Sequence, residues 1–170
     1  VAVFDGETGE ILREWRPKES LAKNRKYMTI AYPDNNEPHI LLLYDHFHKG
    51  KFALLDKNLK PVFYNKQYGE GKARGGVGHM VFAYDLDGDK RDELISSGVI
   101  LNGDGTPRLL TGHRHSDCFQ AGDLIPGNGT TEYVVGDLDG RISMYLANGN
   151  LVWEKELKPG TGGPHLGIVA

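Results

Sequence analysis

Residues 85–93 read Asp-Leu-Asp-Gly-Asp-Lys-Arg-Asp-Glu, a spacing of carboxylates that can wrap a hard cation. Calcium takes about 6 to 8 oxygen ligands at roughly 2.3 to 2.6 Å, so acids at loop positions one, three and five, a carbonyl at seven and a closing acid suit it. These positions fall on Asp85, Asp87, Asp89, the Arg91 carbonyl and Glu93, with Asp92 in reserve. An EF-hand loop is longer and joins two helices, whereas Met80–Tyr84 and Leu94-Ile95 are short and apolar or aromatic. The spacing therefore predicts a structural calcium loop between two β-strands. Lys90 stands where such a loop turns on glycine, which raises its conformational cost. The competing reading is an acidic, solvated turn. The turns at 33–38 and 123–128 keep turn-forming residues without the acid ladder, and are expected to bind no ion.

Histidine supplies the second chemistry. Seven are present, four of them in the pairs His46/His48 and His113/His115. On one strand, alternation would put His113, His115 and Asp117 on a common face. Same-face neighbours lie about 6.6 Å apart, so His115 and Asp117 could share one ion. Zinc is an option, but the carboxylate-rich surroundings and the lack of a cysteine partner favour calcium or another hard ion. The plainer alternative is that histidines at strand starts hydrogen-bond to solvent and backbone. Ser116, His115 and Asp117 cannot act as a nucleophilic triad, because neighbours on a strand face opposite sides. The glycine-rich run 69–78 is followed by no helix, so it does not read as a phosphate cradle.

The elements that must position these groups are short strands. Glycine numbers 23, and turn residues recur between alternating apolar segments. One hairpin returns four times, around the turns at 5–9, 56–60, 102–105 and 146–150. A second kind lies between the copies: Met28–Tyr32 with His39–Tyr44, His79–Tyr84 with Leu94-Ile95, and Phe119–Gly122 with Glu132–Val135, while His165–Ala170 opens another. Two alternating hairpins with a period of about 40 to 50 residues match the four-stranded antiparallel blade of an all-β propeller. A sandwich would not explain the fixed order. The chain is expected to hold about three whole blades and two part-blades in one partial domain, with boundaries near 18–27, 65–78, 111–115 and 155–164. Corresponding positions on neighbouring blades converge towards a propeller's axis, which would let His79 and His165, each opening such a strand, meet there. An arc of blades leaves apolar faces bare at both ends, so the remaining blades are expected from a longer chain or another copy.

Composition sets the limits. With 39% hydrophobic and 25% charged residues the chain is ordinary globular material, and a net charge of -3 without a basic block does not suit nucleic acid. The run Ile40–Tyr44 is far below the roughly 20 residues of a membrane span. The single cysteine, Cys118, forms no internal disulfide.

The string Gly78-His79, Asp85-Leu86-Asp87-Gly88-Asp89, Asp92-Glu93-Leu94-Ile95, then Gly112-His113-Arg114-His115-Ser116-Asp117 and Gly122-Asp123-Leu124 resembles the family 11 polysaccharide lyases. Those are secreted rhamnogalacturonan lyases built on an eight-bladed propeller. The resemblance implies an extracellular protein with calcium as cofactor and an acidic polysaccharide as partner. It implies that His79, His115 and Asp117 hold a second, functional calcium, with Asp137 the nearest candidate for a further acidic ligand. The implied reaction is β-elimination at galacturonate, with Lys49 and Arg114 as candidate uronate contacts and no catalytic base assigned. Lys90 and the segment His46-Phe47-His48-Lys49 depart from the family pattern. The alternative is a non-catalytic propeller, stabilised by calcium, for carbohydrate or protein binding or extracellular assembly.

Overall fold

Fourteen strands and no helix occur among the residues described in the computed structural model, which are 1–16, 26–34, 36–44, 50–68, 78–113, 115–137 and 140–157. The strands fall into four groups: β1 (Ala2–Phe4) and β2 (Ile11–Glu14); β3 (Lys26–Ala31), β4 (His39–Tyr44), β5 (Lys51–Leu55) and β6 (Pro61–Gln67); β7 (Phe82–Tyr84), β8 (Glu93–Ser96), β9 (Val99–Leu101) and β10 (Pro107–Leu110); and β11 (Ser116–Gly122), β12 (Glu132–Asp137), β13 (Arg141–Leu146) and β14 (Leu151–Glu156). Each strand pairs antiparallel with the next in its group, giving one two-stranded and three four-stranded sheets. The expected alternation of two hairpins is thus present as an up-and-down sheet. The segment from His165 lies outside the described residues, as do positions 69–77 of the glycine-rich run.

The middle strands of each sheet are apolar on both faces, and alternation divides them between two cores. From β4, Leu41 and Leu43 join Phe52, Leu54, Leu94 and Leu101 in one buried cluster, while Leu42 and Tyr44 pack towards Val1, Val3 and Trp15 in another. From β8 and β9, Ile95 and Ile100 turn the other way, to Tyr133, Val135 and Tyr145. Each sheet is thereby stacked on the next in chain order. A buried leucine or isoleucine contributes about 1.5–3 kcal/mol, so these seams dominate the stability. Most aromatic residues serve them: Trp15, Tyr44 and Tyr64 form one contact series, and Phe119, Tyr133 and Tyr145 another. At the two ends the outer surfaces are bare, with Phe4, Ile11 and Leu12 exposed on one and Leu151, Val152 and Trp153 on the other.

Two differences from the expected strands bear on the site. Strand β7 starts at Phe82 rather than His79, because Met80 gives its carbonyl to the Ser96 hydroxyl (2.8 Å) instead of to a ladder. Strand β11 starts at Ser116, before the expected Phe119 but after His113 and His115, which therefore precede the strand.

The turns also lock neighbouring sheets together. Tyr32 N–H donates to the Asp92 carboxylate (2.7 Å) and Asp92 N–H returns a bond to the Tyr32 carbonyl (3.0 Å). Asp92, held in reserve as a ligand, is therefore a clamp between sheets. Nearby, the β9–β10 turn approaches so closely that a Cβ on Gly103 would lie 2.6 Å from Pro33 Cβ.

Candidate functional site

The acid loop folds around its own backbone. Asp85 accepts from the N–H groups of Gly88 (2.7 Å) and Lys90 (2.9 Å), Asp87 from Asp89 (3.2 Å) and Asp89 from Arg91 (2.8 Å). These bonds turn the three aspartates inward until one oxygen from each of Asp85, Asp87 and Asp89 lies within 4.8 Å of the others. A donor set made only of oxygen, at that spacing, fits a hard divalent cation such as calcium. Among the described residues no other group of three histidine, cysteine, aspartate or glutamate side chains converges this closely. Lys90 adopts the left-handed conformation (φ 69°) expected of the glycine it replaces. Relieving that strain gives a direct expectation: Lys90→Gly raises stability by ~0.5–1 kcal/mol, read as a higher urea midpoint, and an unchanged midpoint would contradict it.

Glu93, expected as the closing ligand, stands apart from that trio. It is the first residue of β8 and almost fully buried; one oxygen accepts from Leu86 N–H (2.9 Å) and the other from the Arg108 guanidinium (2.8 Å). Burial pushes its carboxyl up to about 7, against the opposing pull of the Leu86 hydrogen bond and Arg108. Glu132 does equivalent work at the start of β12, accepting from Leu124 (2.8 Å), Ile125 (2.9 Å) and Asn128 (2.6 Å). An acid opening the second strand thus fastens the preceding turn in two of the sheets. In the third, His39 takes that place and its Nδ1 donates to the Glu37 carbonyl (2.9 Å).

At the other end of the first strands the imidazoles of His79 and His115 meet. Their centroids are 4.3 Å apart and their planes at 86°, and Tyr27 on β3 lies 6.0 Å from His79 at 33°. One ring thus comes from β3 and one each from the segments leading into β7 and β11. His79 precedes Asp85 by six residues, or roughly 20 Å of extended chain, so the histidines and the acid loop occupy opposite ends of β7. His115 is held at φ 45°, a conformation that histidine tolerates better than most residues.

Asp137 does not join the two rings. It ends β12 opposite Ser116, and its carboxylate is taken by His113 Nδ1 (3.1 Å) and by Arg141 through the backbone N–H (3.1 Å), Nε (3.2 Å) and Nη2 (3.1 Å). Burial alone would raise its carboxyl, but the hydrogen bonds from His113 and Arg141 outweigh burial and hold it at about 2. His113 Nε2 lies 2.9 Å from Ser143 Oγ, which donates to Glu154 (2.8 Å). The Ser143–His113–Asp137 connectivity is that of a nucleophilic triad. All three groups are nevertheless closed to solvent, so no substrate reaches Ser143 and the network works as a lock between β12 and β13.

The shared face expected for His113 and His115 is absent, because β11 begins only at Ser116 and Gly112 (φ 80°) and His115 break the alternation. His113 turns into the core and His115 towards His79. Asp117 belongs to β11, but its side chain lies outside what is described, as do Lys49 and Arg114 altogether.

Residues 1–164 match the family described as rhamnogalacturonan lyase family 11, C-terminal domain. The chain belongs to this family. It is similar to the rhamnogalacturonan exolyase YesX of Bacillus subtilis (29% identical, covering 74% of this chain and 23% of the relative) and to the rhamnogalacturonan endolyase YesW of the same organism (26%, covering 75% and 23%). The crystal structure of exotype rhamnogalacturonan lyase YesX superposes with a TM-score of 0.79 at 25% identity, over 92% of this chain and 30% of that one. The chain thus spans about a quarter of the length of the curated relatives it matches. Membership joins this family's domain to an acid loop and a histidine pair at opposite ends of one strand.

Proposed function

We propose that this chain is an arc of a β-propeller in a secreted, calcium-dependent lyase that cleaves rhamnogalacturonan or a related acidic polysaccharide by β-elimination. The observation that carries this reading is the family match over residues 1–164. The face-to-face stacking of four sheets supports the propeller, with the bare outer surfaces closed by further sheets of the longer protein. The oxygen trio of Asp85, Asp87 and Asp89 supports a structural calcium. The meeting of His79 and His115 supports a functional ion at the other end, with Asp117 as a further ligand.

An ion there would neutralise the uronate carboxylate and make the C5 proton more acidic. What the protein contributes is position. His79 and His115 are delivered by the segments leading into two different sheets and buttressed by Tyr27, so a ligand at that end is held by packing rather than by one mobile loop. Lys49 and Arg114, which lie outside the described residues, are proposed as the uronate contacts that the family resemblance implies. Asp137, committed to His113 and Arg141, serves as support for the segment carrying His115.

The test is incubation of the full-length protein with rhamnogalacturonan while following absorbance of the unsaturated uronate product. Activity is expected to vanish in a chelator and to return with added calcium. No calcium-dependent signal at any pH would end the enzymatic reading and leave a non-catalytic binding propeller.

A further inference from the structure

The acid loop already holds a cation of the protein's own. Arg108, on β10, sets Nη2 2.8 Å from Asp87 Oδ2 and Nη1 2.8 Å from Glu93 Oε1, so one guanidinium spans two carboxylates of the 85–93 segment. We propose that Arg108 is a tethered competitor for the divalent cation of this loop, holding the loop folded when the ion is absent and being displaced from Asp87 when it binds. The inference rests on the reading of 85–93 as a calcium loop and adds to it the residue that sets its affinity.

Three observations carry it. First, the guanidinium fork is rigid and permanently charged, so it can bridge two carboxylates as a divalent ion would. The contact with Glu93 is close to fully sheltered on the acid's side, with 6% of that side chain exposed, which limits screening by solvent. Second, Asp87 is shared: Nη2 already occupies its Oδ2, so an ion bound by that carboxylate has only Oδ1 free of Arg108 and sits beside a like charge that weakens its binding. Third, the side chain has somewhere to go. Cavities of about 470 and 480 Å³ open on its two sides, one towards Asp34 and Asp104 and the other towards Asp123 and Thr130, and Arg108 lines both. Retreat into the first cavity would place the guanidinium among other carboxylates, so displacement leaves it solvated and paired.

The consequence is a loop that does not collapse without calcium and binds it more weakly than its three aspartates would allow. Because Arg108 belongs to the β9–β10 hairpin, ion binding also loosens that hairpin's hold on the loop.

Hydrogen–deuterium exchange of the full-length protein, followed by mass spectrometry of peptides covering 85–96 during a calcium titration, reads this one loop among any other ion sites. In the unaltered protein the loop is expected to be partly protected without calcium and to gain protection at a measurable midpoint. Arg108→Met, which keeps an apolar stem, is expected to lose the protection seen without calcium and to lower the midpoint at least about tenfold. Arg108→Lys, which cannot bridge both acids, is expected to lie between, and it decides the matter should the methionine variant fail to fold. Asp85→Ala is expected to abolish the calcium response. A response in the unaltered protein with an equal or higher midpoint in the variants overturns the role of Arg108 while leaving the calcium loop standing. No response in any of the proteins up to millimolar calcium overturns both.

Discussion

Asp137→Ala is expected to lower stability by about 3–5 kcal/mol, because it strips the partner from a buried ionic network. The aspartate is 1% exposed, and its loss leaves His113, which has no solvent access, and Arg141 facing an empty carboxylate site. Asp137→Asn keeps the shape and is expected to cost less, but to remove a defined pH dependence. The carboxyl is held at about 2 in the folded protein against an ordinary value of 3.8. A carboxylate depressed by folding binds protons more weakly in the native state, so its stabilisation is present in full above about pH 5 and fades as the pH falls through 4 towards 2. At about 1.4 kcal/mol for each pH unit of difference, the contribution is about 2 kcal/mol. Urea unfolding at pH 7, 4.5 and 3 checks this: the gap between the original protein and Asp137→Asn should narrow on acidification. Parallel curves would show that Asp137 is not the titrating group.

That network shows where the sequence stops being readable. The strands were legible because runs such as Leu41–Leu43 and Leu94-Ile95 are apolar at every position yet short and flanked by turn residues, which leaves a strand buried on both faces as the economical solution. The acid ladder was legible because its ligands are neighbours in the chain and the loop geometry is local. The pairing of His113 with Asp137, 24 residues away, was not, since it depends on which way the 113–115 segment turns before β11 begins. The same holds for Arg108, whose partners Asp87 and Glu93 sit on a different hairpin. Glu93 was nearly within reach. Aligning the repeats places it beside Glu132, an acid with no ladder before it, and that comparison points to a turn-fastening role independent of any ion. The meeting of His79 with His115 was not legible in the repeat, which sets His79 in register with His165; like the turn of His113, it depends on how the segment before β11 bends at Gly112 and His115.

That convergence makes the strongest expectation about activity. On the proposed lyase reading, with the two histidines as ligands of the functional ion, His79→Ala and His115→Ala should each reduce β-elimination by the full-length protein more than about a hundredfold, since even groups that merely orient a metal ligand are worth 10- to 100-fold. Stability should change little by comparison, as both rings are only partly buried and lie at a sheet end rather than in the apolar seams. The two positions differ in one respect that separates chemistry from folding. At φ 45° an alanine at 115 carries about 1 kcal/mol of backbone strain, whereas asparagine accepts that conformation more readily. His115→Asn should therefore be as inactive as His115→Ala yet melt closer to the original protein. If activity instead followed stability, with His115→Asn largely active, the imidazole at 115 would be acting through the backbone it shapes and the functional ion would have to be sought away from the two rings.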